Sequence, residues 1–538
     1  MSASKMIRGT MILTAATFIA KFLGILFVIP YQALTGYQGT YLYAMSYTPY
    51  SIILSISTMG LPLAVSKFVS KYNALGDYSA GKRLLRSGTV LMALTGFAGF
   101  LIMFLGAPSF VSLAAVPTNN FNNVVLVMRV CSIAILVVPV MSLLRGYFQG
   151  FQSMGPTAVS QVVEQVGRIG FILITSFVII KVLHGPVVTA AVFATFAAFI
   201  GAVAGFYVML HYWVVRRPYI IKLEQQVKRP QRYKMHLVSM YKELIAYAIP
   251  FVAVGIAMQL YQLIDQMMAY HYLHYGRTIN GIIVSDLTMN DQKMVMIPVT
   301  LATSLAVSAV PAIIVAYTKK DGEDVRRKIT EAFQLVLFLT VPASIGLSVL
   351  GYMVHGLLYG VAGVDYLDIG GKILSWYAPT AIFFSLFQVG ASILQGIDRQ
   401  RVTLIALIGG VVIKILLNPV CMKVFGMVGP IVATDIGYMF SILVILVSIR
   451  RVTGYRFSAI ALQAVHILLY TAVMFFVIKL LLLAGGGPSP RSRVTAILIC
   501  LVCVTSGCAV YILLARWTGL LRKVAGERLP KALGGRKK

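Results

Sequence analysis

Apolar runs long enough to cross a bilayer recur from one end of this 538-residue chain to the other. A run of about 20 apolar residues spans the hydrocarbon core as a helix, and backbone groups inside hydrocarbon must find their partners within the chain. This pattern therefore restricts the chain to a helical membrane bundle. Fourteen runs can be delimited, over residues 8–30, 43–65, 87–108, 123–145, 157–182, 187–211, 243–270, 293–316, 331–354, 373–396, 402–422, 427–449, 458–483 and 494–515. With 59% hydrophobic and only 12% charged residues, no single soluble core could enclose the apolar surface. The expected fold class is an all-α polytopic membrane protein.

A formal net charge of +30 would point a soluble chain towards nucleic acid. Its distribution excludes that partner here. With the N-terminus inside, most of the 46 lysines and arginines fall in the N-terminal, even-numbered and C-terminal hydrophilic parts. That is the positive-inside bias, and it predicts two cytoplasmic termini. The basic residues concentrate in a connector (Arg216, Arg217, Lys222, Lys228, Arg229, Arg232, Lys234) and in a tail that begins at Arg516. Anionic membrane lipids are their expected neighbours. Lys5 precedes the first run and Arg8 opens it, but no small-residue cleavage site follows, so that helix is expected to be retained. The five cysteines, including the Cys500–Cys503 pair, have no partner cluster, and no metal or redox cofactor is expected.

The chain repeats itself. Gln149-Gly150 aligns in frame with Gln395-Gly396, Thr157 with Thr403 and Arg168 with Lys414, while Lys82-Arg83 falls within one residue of Lys328. Two pseudo-symmetric six-helix lobes, residues 1–212 and 243–455, then flank the connector at 213–242. Two further helices over 456–515 and the basic tail at 516–538 lie outside the repeat.

Polar residues within the runs fall at helical spacing. Thr10, Thr14, Thr17 and Lys21 share one face of the first helix, and Gln161, Glu164, Gln165 and Arg168 form a stripe on the fifth. Glu164 and Arg168 are spaced for an intrahelical ion pair. Gly60-Leu-Pro62 should bend or end the second helix, and Gly201 and Gly205 make a small-residue face for close packing. Arg129, Asp265, Lys293, Lys414 and Asp435 complete the intramembrane or membrane-edge charges. Desolvated cations bind phosphate strongly, so a cavity of Lys21, Arg129, Arg168, Lys293 and Lys414, offset by Glu164, Asp265 and Asp435, suits an anionic ligand. His271, His274 and His355 read as interfacial residues at outer helix ends.

Enzyme chemistry finds little support. The phosphate-binding Gly-x-x-x-x-Gly-Lys-Ser/Thr pattern, His-Glu-x-x-His and Gly-x-Ser-x-Gly are all absent. The acids of the short outer loops, Asp286, Asp291, Asp365 and Asp368, form no convincing catalytic pair. Transport remains.

Ala20-Lys21-Phe-Leu-Gly24, Gly60-Leu-Pro-Leu-Ala-Val-Ser-Lys67, Tyr72-Asn-Ala-Leu-Gly-Asp77, Gly146-Tyr-Phe-Gln-Gly150 and Lys293-Met-Val-Met-Ile-Pro298 carry a resemblance to a known family. Over essentially its whole length the chain resembles the MurJ-like lipid II flippases of the multidrug/oligosaccharidyl-lipid/polysaccharide exporter superfamily, in the Gram-positive branch of YtgP and SpoVB. The resemblance implies two six-helix lobes in a V shape, with helices thirteen and fourteen forming a groove for a polyprenyl tail. It implies that an undecaprenyl-pyrophosphate-linked peptidoglycan precursor moves from the inner to the outer leaflet of the bacterial cell membrane by alternating access, with the cell-wall synthesis machinery as a partner. Lys21 and Lys293 stand where the family's first-helix and eighth-helix motifs carry arginine. The Arg-Asp pair of Gram-negative members is replaced by Phe27-Val28 and their second-helix arginines are missing, which leaves Arg129, Arg168 and Lys414 to supply charge. Export of another lipid-linked oligosaccharide (teichoic, capsular or spore-related) is the alternative reading, and a drug/cation antiporter a more distant one. No cofactor is expected; the energy sources left open are the membrane potential and a monovalent cation.

Overall fold

A computed structural model describes residues 3–521 except 59, 76, 227–236, 308, 361–363 and 491. Lys228, Arg229, Arg232 and Lys234 of the connector and the tail beyond residue 521 lie outside the described residues. The described regular structure is helical. Eleven helical stretches are long and apolar enough to cross a membrane, and twelve if the bent pair over Ala248–Gly255 and Ala257–Tyr272 is one span. Two of the eleven, Ala15–Thr58 and Gln400–Thr453, run to 44 and 54 residues. At 1.5 Å per residue each is more than twice the length a bilayer core requires. Both are interrupted, at Gly36 (φ 66°, ψ −170°) and at the 3-10 turn Gly426–Val428. Each stretch overlaps two of the apolar runs read from the sequence.

The chain divides into two compact units, Met1–Ser285 and Asp286–Lys538. The helices that follow the connector, up to Ser285, thus pack with the first unit. That unit contains α1 (Ala3–Leu26), α2 (Val28–Thr58), α3 (Leu61–Ala74), α4 (Tyr78–Leu113), α5 (Thr118–Ser132), α6 (Val138–Gly150), α7 (Met154–Phe177), α8 (Val187–Gln226), α9 (Leu237–Gly255), α10 (Ala257–Tyr272) and most of α11 (Arg277–Thr288). Gly60 in the left-handed region (φ 61°) and Pro62 at the start of α3 stop one helix and begin the next. The basic segment 66–78 is therefore largely helical, and Asp77 closes it by accepting from Ser79 (2.6 Å) and Arg83 (3.3 Å).

Two glycine faces set the packing that matters most. Gly201 and Gly205 of α8 lie on α7: a Cβ on Gly201 would come within 2.7 Å of the Glu164 carbonyl oxygen and 2.8 Å of Arg168 Cβ. Ser160 Oγ adds a bond to the Gly205 carbonyl (2.9 Å). On the other side α6 crosses α3 so closely that a Cβ on Gly146 would overlap the Pro62 carbonyl. Val65, Val69, Leu84, Met92, Leu143, Tyr147 and Phe148 fill the core around that crossing.

The second unit starts with the end of α11 and continues through α12 (Asn290–Val307), α13 (Val310–Thr318), α14 (Gly322–Val349), α15 (Gly351–Tyr359), α16 (Val364–Tyr377), α17 (Thr380–Gly396), α18 (Gln400–Phe425), α19 (Gly429–Thr453), α20 (Ser458–Ala484) and α21 (Arg493–Trp517). Asp321 and Ser492 cap α14 and α21 through the backbone amides three residues on. α20 and α21 pair with each other and against α14 around Phe338, Val341, Tyr470, Met474 and Cys503, with Tyr511 donating to the Phe338 carbonyl (3.0 Å). Their outer faces expose Leu462, Leu469, Phe476, Leu480, Leu498 and Leu513, a composition suited to acyl chains. Residues 277–291 were expected as an outer loop, yet they form helix, and Asp286 and Asp291 are fully buried. His355, expected at an interface, is buried too. Apolar neighbours on both sides let this segment fold inward, and short acidic stretches in a sequence do not reveal that.

The internal repeat is visible in the local backbone. α6 and α17 both end at the Gln-Gly pair, and the residues two positions on, Gln152 (φ 57°) and Asp398 (φ 58°), both enter the left-handed region. Gly150 packs on Val69 of α3 within the first unit, as Gly396 packs on Val310 and Ile314 of α13 within the second.

Substituting Gly146→Ala is expected to destabilise the fold by about 1–3 kcal/mol, because the Pro62 backbone cannot yield as a side chain would. Gly106→Ala, where nothing lies within 4 Å, should be neutral or stabilising by up to about 1 kcal/mol. Thermal unfolding of the purified protein in detergent checks both, and equal midpoints would contradict the packing assigned to the α3–α6 crossing.

Candidate functional site

In the first unit the polar stripe of α7 faces α1. Thr17 Oγ1 donates to Gln161 Oε1 (2.9 Å), and a Cβ on Gly24 would come within 2.8 Å of Gln165 Nε2. Lys21, one turn from Thr17, lies exposed on α1, with no ion-pair partner among the described residues. Glu164 does not pair with Arg168. It accepts instead from Arg145 Nη2 of α6 (2.7 Å), which also donates to Ser160 Oγ (2.7 Å). The sequence spacing allows the intrahelical pair, but Arg145 enters from a neighbouring helix and takes the carboxylate.

Arg168 is thereby released towards α2. Its guanidinium donates to Tyr43 Oη (2.7 Å) and stacks over the Tyr47 ring at 4.9 Å. Tyr43 is the middle of an aromatic chain that runs from Phe27 and Tyr31 to Tyr47 and Tyr50, with ring centroids 5.3–6.4 Å apart. A planar cation over an aromatic face keeps its charge without needing a carboxylate. Arg129 is aimed elsewhere: its Nε donates to the Phe104 carbonyl (3.2 Å) and its charge sits over the Phe104 ring. Asp265 is buried on α10 near Gln266, which donates to the Ala44 carbonyl and to Thr48 Oγ1, both at 3.0 Å. The structure brings Glu164 and Arg168 together with the Lys21 helix and leaves Arg129 on another face.

The charges of the second unit fall into two groups. Lys414 is wholly enclosed between α18 and α19, where its ammonium donates to the Pro430 carbonyl (2.6 Å) and Thr434 Oγ1 (2.8 Å). Asp435, on the next position of α19, accepts from Thr380 Oγ1 (2.6 Å). Lys293 stands half-buried on α12. A ligand reaches Lys414 only if α18 and α19 part.

A groove of about 460 Å³ opens along α12, α14, α20 and α21. Pro298, Phe338, Pro342, Met474, Gly507 and Tyr511 are among its lining residues, and the wall is almost entirely apolar. Such a surface has the chemistry for a hydrocarbon chain.

Residues 6–315 match the model of the family described as polysaccharide biosynthesis protein. The chain belongs to that family. It is 39% identical to the lipid II flippase MurJ of Bacillus subtilis (strain 168), over 98% of each chain. Among solved structures it resembles a lipid II flippase MurJ in an inward closed conformation (TM-score 0.62, 16% identity, 96% of this chain and 99% of that one). It also resembles an inward-facing multidrug resistance MATE family transporter of the MOP superfamily (TM-score 0.64, 14% identity, 80% and 98%). For this family member the two structural likenesses describe the fold, a multi-pass helical bundle.

Arg145 carries no polar-stripe signal in the sequence. It closes the fourth apolar run and reads as a topogenic end charge, so only the tertiary contact reveals its role. The coupling of Arg145 with Glu164 should measure about 1.5–3 kcal/mol in a double-mutant cycle of Arg145→Ala and Glu164→Gln read by thermal unfolding. Additive losses would show that the contact carries no stability.

Proposed function

We propose that this chain is a flippase that moves lipid II, an undecaprenyl-pyrophosphate-linked peptidoglycan precursor, from the inner to the outer leaflet by alternating access. The observation that carries the reading is the near full-length identity of 39% to a protein named as a lipid II flippase. The named flippase and the MATE family neighbour are transporters rather than enzymes.

The geometry supports a division of labour. Among the described residues Lys21 and Arg168 are charges of the first unit without a carboxylate partner, and they suit a pyrophosphate because a desolvated cation holds phosphate oxygens strongly. The apolar groove beside α20 and α21 suits the polyprenyl tail, which then never leaves a hydrocarbon environment. Lys293 serves the headgroup from the second unit, while Arg129, Asp265, Lys414 and Asp435 hold the helices that carry it. In this reading both termini are cytoplasmic and the basic connector and tail meet anionic lipids. The cell-wall synthesis machinery takes up the product. Outward movement of an anion across an inside-negative potential gains about 2.3 kcal/mol per charge per 100 mV, so the potential drives part of the cycle.

Native mass spectrometry of the purified protein tests the reading with three lipids: lipid II, undecaprenyl phosphate and a teichoic acid precursor. Lipid II should bind selectively to the wild type, and Lys21→Glu combined with Arg168→Glu should remove that selectivity. Preference for the teichoic acid precursor would transfer the function to another lipid-linked oligosaccharide. Equal binding of all three, unchanged by charge reversal, would overturn the cationic headgroup site.

A further inference from the structure

The transport reading leaves one buried cluster unused. At Met289 the chain breaks between α11 and α12, and acidic residues stand on both sides of the break: Asp286 before it, Asp291 after it. Neither side chain has any exposed surface. His355 of α15, equally enclosed, meets Asp291 through Nδ1 and Oδ1 at 2.9 Å. Asn290 Nδ2 donates to Asp286 Oδ1 (2.8 Å), and Tyr359 Oη donates to the Asn290 carbonyl (3.0 Å). Asp286 lies within electrostatic reach of both Asp291 and His355.

The charge of this cluster does not balance without protons. Among the described residues neither carboxylate has a lysine or arginine within ion-pair distance, and the second oxygen of each, Asp286 Oδ2 and Asp291 Oδ2, has no hydrogen-bond partner. Two ionised carboxylates beside a neutral imidazole would enclose two negative charges away from water, a state of high cost. One proton on the imidazole gives an ion pair with Asp291 and leaves Asp286 charged. A second proton, on a carboxylate, makes the cluster neutral.

Among the described residues, the charged groups of the neighbouring elements are placed as follows. On α16 the side facing His355 is Gly370, where a Cβ would overlap the imidazole ring, and the charged residues Asp368 and Lys372 are exposed. On α15 the remaining titratable groups are the tyrosines Tyr352 and Tyr359; Tyr352 lies by Asp368. Arg493 of α21 is exposed and donates to the carbonyls of Leu357 and Leu358. On α12 Lys293 lies two residues beyond Asp291, about 200° around the helix. The charged residues of α14 are in its first three turns, far along the helix from its contact with α15.

We propose that Asp286, Asp291 and His355 form a proton-binding site of the second unit, in which bound protons permit the two carboxylates to stand together across the α11–α12 break. Loss of a proton restores repulsion between the carboxylates and favours a conformation in which they separate or meet water. Asp286, Asp291 and His355 all belong to the second compact unit. Coupling of the proton to the transport cycle rests on the flippase reading; the existence of the site does not.

Infrared difference spectroscopy of the full-length protein in lipid tests the site directly. Between mildly alkaline and mildly acidic buffer the wild type should gain a protonated-carboxyl C=O band that shifts on deuteration. Asp286→Asn and Asp291→Asn should each remove part of that band, and the double variant all of it. Both are near-isosteric with the protonated acid, so the fold should survive them. His355→Gln, and Gly370→Ala through its overlap with the ring, should move the midpoint of the band without removing it. A band unaltered by either Asp→Asn change, or a midpoint unmoved by both of the others, would overturn the proposal. If the band behaves as expected, the rate of lipid II transport in liposomes should depend on pH in the wild type and lose that dependence in the double Asp→Asn variant. A profile unchanged there would overturn the coupling while leaving the flippase reading intact.

Discussion

A charge carried into hydrocarbon must be met by another group of the same chain, and the arrangement of this bundle follows from that requirement. Glu164 is met by Arg145, Arg168 by two tyrosines, and Lys414 by a carbonyl and a hydroxyl. Each solution leaves a different remainder. The Arg145–Glu164 pair neutralises itself and fixes α6 against α7. Arg168, held by phenol and ring, keeps its full positive charge. Lys414, held by that carbonyl and hydroxyl, serves as a clasp between α18 and α19.

These pairings depend on close helix approach, which glycine supplies. Gly201 and Gly205 admit α8 to the back of the α7 stripe, and Gly24 admits α1 to its front. The stripe is thus clamped from both sides, and the freedom of its side chains is spent on directed contacts. A cation fixed in this way loses little further entropy when it meets a phosphate. Preorganisation, more than the number of charges, distinguishes such a face from the solvated basic loops.

Much of this was legible in the sequence. Apolar runs, the Gln-Gly repeat, the helix stop at Gly60-Leu-Pro62 and the small-residue face of α8 all rest on local chemistry, and local chemistry is written in order along the chain. The family resemblance agreed with the relatives later found. Partner choice was less legible because it is tertiary. The i, i+4 spacing of Glu164 and Arg168 is real, but Arg145 competes from another helix and wins. Asp286, Asp291 and His355 looked like scattered outer polar residues because nothing in a one-dimensional reading places residue 355 beside residue 291. The division at Ser285 and Asp286 is likewise set by packing.

The central claim is that the chain itself carries a lipid-linked pyrophosphate headgroup across a bilayer. Reconstitution of the purified protein into liposomes with fluorescently labelled lipid II, followed by a membrane-impermeant quencher, tests it most directly. Headgroups on the inner leaflet should become quenchable at a rate that rises with the amount of protein and falls when Arg168 is replaced by glutamate. Access to the outer leaflet alone, identical in protein-containing and empty liposomes, would contradict it.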